Sequence, residues 1–279
     1  MTEKNAQFDG SIPEMYDQHL GPLLFAPFAR DLAARIARIR PRRVLEVAAG
    51  TGILTQRIRA VLPPDAELIA TDLNEPMLEY AKRSDDRALK IEWKQADALE
   101  LPFPDNSFDL LVCQFGVMFF PDKLRAMKQF LRVLQPGGHL LFNVWDSLEK
   151  NPFAEISHTT IGKSFQDNPP DFYKVPFGCH NKKDLKQLVS EAGFEDIHIE
   201  TLTIDSESPS AGNAAIGLVR GNPVVNAIRE RGTADVGEIV RAVEGALADR
   251  YGNSPLKLQL QAHVVTARKG KSGPRENIS

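Results

Sequence analysis

Cysteine is nearly missing from this sequence. Cys113 and Cys179 are the only two among 279 residues. Two isolated cysteines make neither a disulfide framework nor a zinc cluster, so no metal site is expected. Long apolar runs are missing too: no stretch approaches the roughly 20 residues that span a bilayer. There is no excess of basic charge. Lys and Arg number 34 against 37 Asp and Glu, a formal net charge of -3. Nothing in that balance points to nucleic acid or to an anionic membrane. The opening MTEKNAQFDG lacks a signal-peptide core. The expectation is a reduced, cytoplasmic protein. Internal repeats and low-complexity linkers are absent. The length suits one large domain, or one domain with an added lid.

What is present is an alternation of two periodicities. Residues 22–38 place Leu24, Phe28, Leu32 and Ile36 at helical spacing, and Pro41 ends that predicted helix. Five apolar stretches then predict strands: RRVLEV, ELIATD, LKIEWKQAD, SFDLLVCQFG and HLLFNVW. Between them GILTQRIRAVL, EPMLEYAKRS and DKLRAMKQFLRVL predict helices, the last closed by PGG. After Trp145 come a short helix near 152–162, a loop, the helix KKDLKQLVSEAG and the strand FEDIHIETLTI. Residues 209–250 look helical, broken at Gly221–Pro223 and Gly232, and LKLQLQAHVVTARK is the seventh strand. Strands alternating with helices predict an α/β fold with a doubly wound, mostly parallel seven-stranded sheet. Near-continuous apolar strands imply that both faces are covered. The two late strands are expected to form an antiparallel edge hairpin. The expected division is N-terminal cap helices over 1–39, a core over 40–206 and 254–269, a helical insert or lid over 207–253, and a mobile tail over 270–279.

The chemistry concentrates at strand ends. VLEVAAGTGILT runs from a strand through a glycine-rich turn into a helix. Glycines let a ligand approach the backbone, and the first helical N–H groups point at it. The dinucleotide pattern G-x-G-x-x-G is incomplete, because Thr55 stands where the third glycine belongs. Glu46, just before the turn, suits an ammonium better than a pyrophosphate. Asp72 ends the second strand 20 residues after Gly52, the position of an acid that accepts from ribose hydroxyls. Asp97 and Ala98 end the third strand, where an acid and a backbone N–H can read adenine. Ammonium, ribose and adenine partners without a phosphate site describe S-adenosylmethionine better than a dinucleotide.

With these residues in view, the sequence resembles the class I S-adenosylmethionine-dependent methyltransferases, in particular the ubiquinone/menaquinone-biosynthesis-like (methyltransferase type 11) small-molecule group. VLEVAAGTGILT is similar to the first motif of that family, with Ala48 in place of its first glycine. IATDLNEPML, QADALELPFPDNSFDLLVCQFGVMFF and LRVLQPGGHLLF are similar to the later ones. The likeness covers residues 40–145 well and the flanks loosely. It implies a Rossmann-like methyltransferase fold, S-adenosylmethionine as cofactor and S-adenosylhomocysteine as product. It further implies that Glu46, Ala48, Gly50, Thr51 and Gly52 hold the methionine portion, and that Asp72 holds the ribose with Leu73 and Met77 packed nearby. Asp97 and Ala98 would hold adenine, Gln114 and Phe115 would flank the sulfonium, and Tyr16 would fold over the cofactor.

Methyl transfer is an in-line displacement in which the protein supplies position and electrostatics. A base is needed only if the acceptor arrives protonated, and His158, His180 and Asp146 are the candidates. Phe115, Phe119, Phe120, Trp145, Phe172, Tyr173 and Phe177 crowd the expected mouth, which suggests a small apolar or aromatic acceptor. The insert, rich in apolar residues, either covers the acceptor or forms the contact of a homodimer. A non-catalytic module binding the same cofactor is the alternative, followed by an NAD(P)-dependent oxidoreductase. Nucleic-acid methylation is disfavoured, because Cys113-Gln114-Phe115-Gly116 stands where an Asn-Pro-Pro-Tyr type of motif would lie. Two cysteines are too few for arsenic methylation.

Overall fold

A computed structural model describes residues 6–84, 90–232 and 234–271. The seven strands are β1 (Arg43–Val47), β2 (Glu67–Asp72), β3 (Ile91–Gln95), β4 (Phe108–Gln114), β5 (Leu134–Trp145), β6 (Phe194–Ser208) and β7 (Leu256–Lys269). The helices are α1 (Ile12–Met15), α2 (Ala26–Ile39), α3 (Ile53–Val61), α4 (Glu75–Ser84), α5 (Lys123–Val133), α6 (Pro152–Gly162), α7 (Lys182–Glu191), α8 (Ala211–Arg220), α9 (Val224–Arg231) and α10 (Val236–Tyr251). A π-helical segment, Tyr16–Phe25, joins α1 to α2.

The strands form one sheet in the order β3-β2-β1-β4-β5-β7-β6. The pairs from β3 to β5 are parallel, and β7 runs antiparallel to both of its neighbours. The chain builds outward from β1 to β3 and then returns to β4 on the other side. This leaves a crevice at the carboxyl ends of β1 and β4, where open α/β sheets bind ligands. Alternate residues feed two cores. Val44, Leu110 and Leu141 face Leu32, Ile36, Leu54 and Ile58 of α2 and α3. Leu45, Leu111 and Phe142 share the larger core with Met127 and Phe130 of α5 and with Ala214 and Leu218 of α8. The 211–251 segment is therefore packed into the same core as the sheet.

The helix starts follow local chemistry. Asp122, Asn181, Ser210 and Asp235 each accept a backbone N–H from the first turn of α5, α7, α8 and α10. Two boundaries differ from the sequence expectation. The helix expected from residue 22 begins at Ile12 and passes through the π-helical segment. Pro22 has no N–H to donate, and the wider turn accommodates it, with Ala26 N donating to Gly21 O. The Pro-Gly-Gly expected to close α5 lies instead within β5. Pairing jumps there from Phe108↔Leu134 to Leu110↔His139, so the extra residues bulge out of the ladder. Residues 272–279 of the expected tail lie outside the described residues.

The π-helical segment lies against α8, and the contact is close. A β-carbon at Gly217 would stand 2.7 Å from Leu20 Cδ2 and 2.8 Å from His19 Cβ. Gly217→Ala is therefore expected to destabilise the protein by about 1–3 kcal/mol through overpacking. At Gly245, in α10, a β-carbon meets nothing within 4 Å. Gly245→Ala is expected to be neutral or to stabilise by up to about 1 kcal/mol. Urea denaturation of both variants checks the pair, and a Gly217→Ala protein as stable as the parent would disprove the close contact.

Candidate active site

The turn after β1 is built from left-handed backbone. Ala48 (φ 58°), Gly50 (φ 58°) and Gly52 (φ 85°) all have positive φ. Ala48, where the related motif carries glycine, adopts the conformation glycine would, at a cost of roughly 1–2 kcal/mol. Gly52 is doubly constrained, because a β-carbon there would lie 2.8 Å from the Trp93 ring. The turn is held from β2. Ala49 N donates to Thr71 O at 2.9 Å, and Gly50 N donates to Asp72 Oδ2 at 2.8 Å.

Asp72 is buried at the end of β2, and its Oδ1 accepts from Asn74 N at 2.8 Å. Burial pushes its pKa up, opposed by the N–H groups of Asn74 and Gly50. Asn74 Oδ1 in turn accepts from Phe8 N at 3.2 Å, which draws the N-terminal segment to this edge. Asp97 is exposed after β3, with Oδ1 accepting from Leu99 N at 2.8 Å.

These strand ends open into a cavity of about 660 Å³, within the usual range for small-molecule sites. Tyr16, Ala48, Gly50, Asp72, Leu73, Met77, Asp97, Ala98, Gln114 and Phe115 line it. Glu46, Thr51 and Gly52 are not among the lining residues. Glu46 points to the α2 and α3 side of the sheet and is 1% exposed. Thr51 is buried with its hydroxyl unpartnered, and Gly52 is covered by Trp93. Two buried acceptors, Glu46 Oε2 and Gln114 Oε1, have no donor among the described residues. Gln114 is oriented by its Nε2, which donates to Phe25 O at 3.2 Å. Burial pushes the Glu46 carboxyl from its ordinary 4.5 up to about 8. Thr55 opposes that shift without reaching full hydrogen-bond geometry.

The far half of the cavity is aromatic. Phe115 stacks on Trp145 with centroids 4.1 Å apart, and Trp145 stacks on Phe177 at 5.8 Å. Phe119, Phe120, Phe172 and Tyr173 complete the seven aromatics expected at the mouth, and all seven line the cavity. Phe8, Phe25, Phe153 and Asn222 also line it and were not anticipated. Phe8 sits in a polar stretch without periodicity, and Asn222 in the break after α8, where only the Gly221–Pro223 signal marked the place. Tyr16 spans the two halves. It stacks on Phe25 at 4.6 Å and meets Phe8 edge-on at 6.0 Å. Burial, with Asp72 and Asp17 nearby, pushes its hydroxyl pKa up.

The three base candidates lie outside this wall. His158 flanks Tyr173, with ring centroids 6.3 Å apart, and burial lowers its pKa. His180 Nδ1–H donates to Phe177 O at 2.9 Å, which turns that nitrogen away from the cavity. Asp146 lies 3.5 Å from His263 Nε2. Among the described residues, no His, Lys, Cys or carboxylate lines the aromatic half. The described residues also contain no cluster of metal-binding side chains and no helix long and apolar enough to cross a membrane.

Comparison with known proteins fits this geometry. Residues 45–142 match the family described as a methyltransferase domain. A ubiquinone/menaquinone biosynthesis C-methyltransferase from Ectopseudomonas mendocina is 33% identical over 186 residues, covering 60% of this chain and 71% of its own. The Pseudomonas fluorescens protein of the same name is 30% identical over 221 residues, covering 72% and 85%. Among solved structures, a phosphoethanolamine N-methyltransferase from Haemonchus contortus aligns with TM-score 0.57 at 17% identity. That alignment covers 92% of this chain and 57% of the other, whose structure holds phosphomonomethylethanolamine and S-adenosylhomocysteine.

Glu46 makes stability pH-dependent. Its folded-state pKa lies above the unfolded one, so the folded protein binds the proton more tightly. Stability from this group is full below about 4.5 and falls as pH rises to about 8. Glu46→Gln is expected to flatten that fall, measured by urea denaturation at pH 5 and pH 8. An unchanged slope would assign the pH dependence elsewhere.

Proposed function

The chain belongs to the S-adenosylmethionine-dependent methyltransferase family, and from that premise we propose that it methylates a small aromatic acceptor held in the aromatic half of the cavity. The observation that carries this reading is the continuity of the cavity. The acids Asp72 and Asp97 line one part, and the stacked rings of Phe115, Trp145 and Phe177 line another. The cofactor, when bound, supplies an electrophilic methyl group on a sulfonium.

The residues present fit that cofactor. Gln114 Oε1, on the cavity wall, is a buried acceptor without a donor among the described residues, and an ammonium would satisfy such a group. Asp72 keeps acceptor capacity beyond its two main-chain bonds, enough for ribose hydroxyls. Asp97 and Ala98 lie beside the same space for adenine, with Leu73 and Met77 as apolar neighbours. Tyr16, stacked on Phe25, stands where the cofactor and acceptor regions meet. Positioning at roughly 3 Å and exclusion of water are then the main contributions of the protein. The aromatic half offers no base, so the reading requires an acceptor that brings its own available lone pair or an acidic proton. A cytoplasmic setting is part of this reading, in keeping with the free thiols of Cys113 and Cys179.

The test is isothermal titration with S-adenosylmethionine, S-adenosylhomocysteine, NAD and NADP. Micromolar binding of the first pair and none of the second is expected, weakened at least tenfold by Asp97→Ala, a change that removes one local bond to Leu99 N. Binding of the nicotinamide pair instead would overturn the reading. If the cofactor ammonium lies near Glu46, binding near pH 7 also releases a proton, because a nearby cation lowers a carboxyl pKa raised to about 8. Titration in two buffers of different ionisation enthalpy detects that release, and identical apparent enthalpies would exclude the ammonium from the vicinity of Glu46.

A further inference from the structure

The aromatic half of the cavity contains few atoms able to make a hydrogen bond, and most are already used. Tyr173 carries a hydroxyl, but it donates to Leu218 O at 2.7 Å. Burial pushes the Tyr173 pKa up and keeps that proton in place. Asn222, in the break between α8 and α9, differs. Its Nδ2 donates to the same carbonyl, Leu218 O, at 3.1 Å. A carbonyl can only accept, so this bond fixes which end of the amide is nitrogen. Among the described residues nothing donates to Asn222 Oδ1. The residue is 9% exposed and lines the cavity. The result is an acceptor oxygen of fixed orientation, with no protein donor among the described residues, on a wall made mostly of rings. A ligand that covers this oxygen and donates to it is favoured over one that covers it without donating, because the second leaves the acceptor desolvated and unpaired.

We propose that Asn222 is the specificity-determining residue of the acceptor site, accepting a hydrogen bond through Oδ1 from a hydroxyl on a flat aromatic acceptor. Phe115, Trp145 and Phe177 hold the faces of that acceptor by stacking. The oxygen accepts but cannot donate, so it distinguishes a hydroxyl from a methoxy group at the same position. The neighbouring residue places the break near the junction of the two regions. A β-carbon at Gly221 would stand 3.1 Å from Tyr16 N, so the break after α8 abuts the backbone of Tyr16.

The inference rests on the cavity being the methyl-acceptor site, and the experiment separates the two. Binding of 2-naphthol, 2-methoxynaphthalene and naphthalene is measured by fluorescence with S-adenosylhomocysteine saturating. A site that hydrogen-bonds a hydroxyl rejects analogues lacking it, so 2-naphthol is expected to bind about tenfold or more tightly than the other two. In Asn222→Leu the three are expected to fall within about twofold of one another, with S-adenosylhomocysteine binding unchanged. Asn222→Gln, which keeps the amide and displaces its oxygen, is expected to weaken the preference and serves if the leucine variant does not fold. Equal binding of the three probes by the parent protein, no binding of any of them, or a preference retained in Asn222→Leu overturns the proposal. Failure of the parent to bind S-adenosylhomocysteine would instead sink the methyltransferase reading beneath it.

Discussion

The carboxylate of Asp72 accepts Gly50 N–H from the turn after β1 and Asn74 N–H from the turn after β2, each at 2.8 Å. Three parts of the cavity depend on this one group. The first bond holds the left-handed turn, the second leads into α4, and Asn74 then holds Phe8 and the N-terminal segment. Phe8 meets Tyr16 and Phe119 edge-on, which carries the constraint into the aromatic half. Removing this carboxylate disturbs the backbone of both turns, whereas the exposed side chain of Asp97 accepts a local bond from Leu99 N.

Two strained residues stand beside the same crevice. Ala48 and Phe115 are non-glycine residues with φ of 58° and 50°, and conformations of that kind persist only where the surroundings over-determine them. Phe115 N donates to both Asn143 O at 3.2 Å and Asn143 Oδ1 at 2.9 Å, and its ring is stacked on Trp145. The polar region of the cavity is thus shaped mainly by backbone and carboxylates, and the other by rings on rings. Charge is confined to the polar region, where Asp72 and Asp97 are the carboxylates among the described lining residues.

Much of this was legible in the sequence, for identifiable reasons. Strand residues such as Val44, Leu45, Leu110 and Leu111 are apolar in runs because both faces of the sheet are covered, and that pattern needs no three-dimensional information. The acids at the ends of β2 and β3 were legible because parallel strands end on one edge. The π-helical segment was not, since Pro22 reads as a helix breaker and only packing against α8 shows why the wider turn is stable there. Glu46 was assigned beside the ligand by its place in the motif, but strand alternation turns its side chain to the opposite face. His158, His180 and Asp146 were candidates by residue type and by their place after the fifth strand, but His158 flanks Tyr173, His180 bonds Phe177 O three residues away, and Asp146 faces His263. Asn222 carried no signal beyond the break around it, because its use depends on Leu218 O being shared.

The position of β7 has a consequence for how the protein is made. Among the described residues β6 has only β7 as a neighbour, and β7 follows all six other strands in the chain. During synthesis β6 emerges first, then all of α8–α10, and only then its partner. The first five strands can pair as they leave the ribosome, while β6 waits with its ladder groups open. A stop codon before Leu256 would therefore remove one strand and strand a second, leaving the edge of β5 exposed. Such a product is a target for chaperones and for edge-to-edge aggregation, so late truncations of this chain should be cleared by the cell rather than persist as binding-competent fragments.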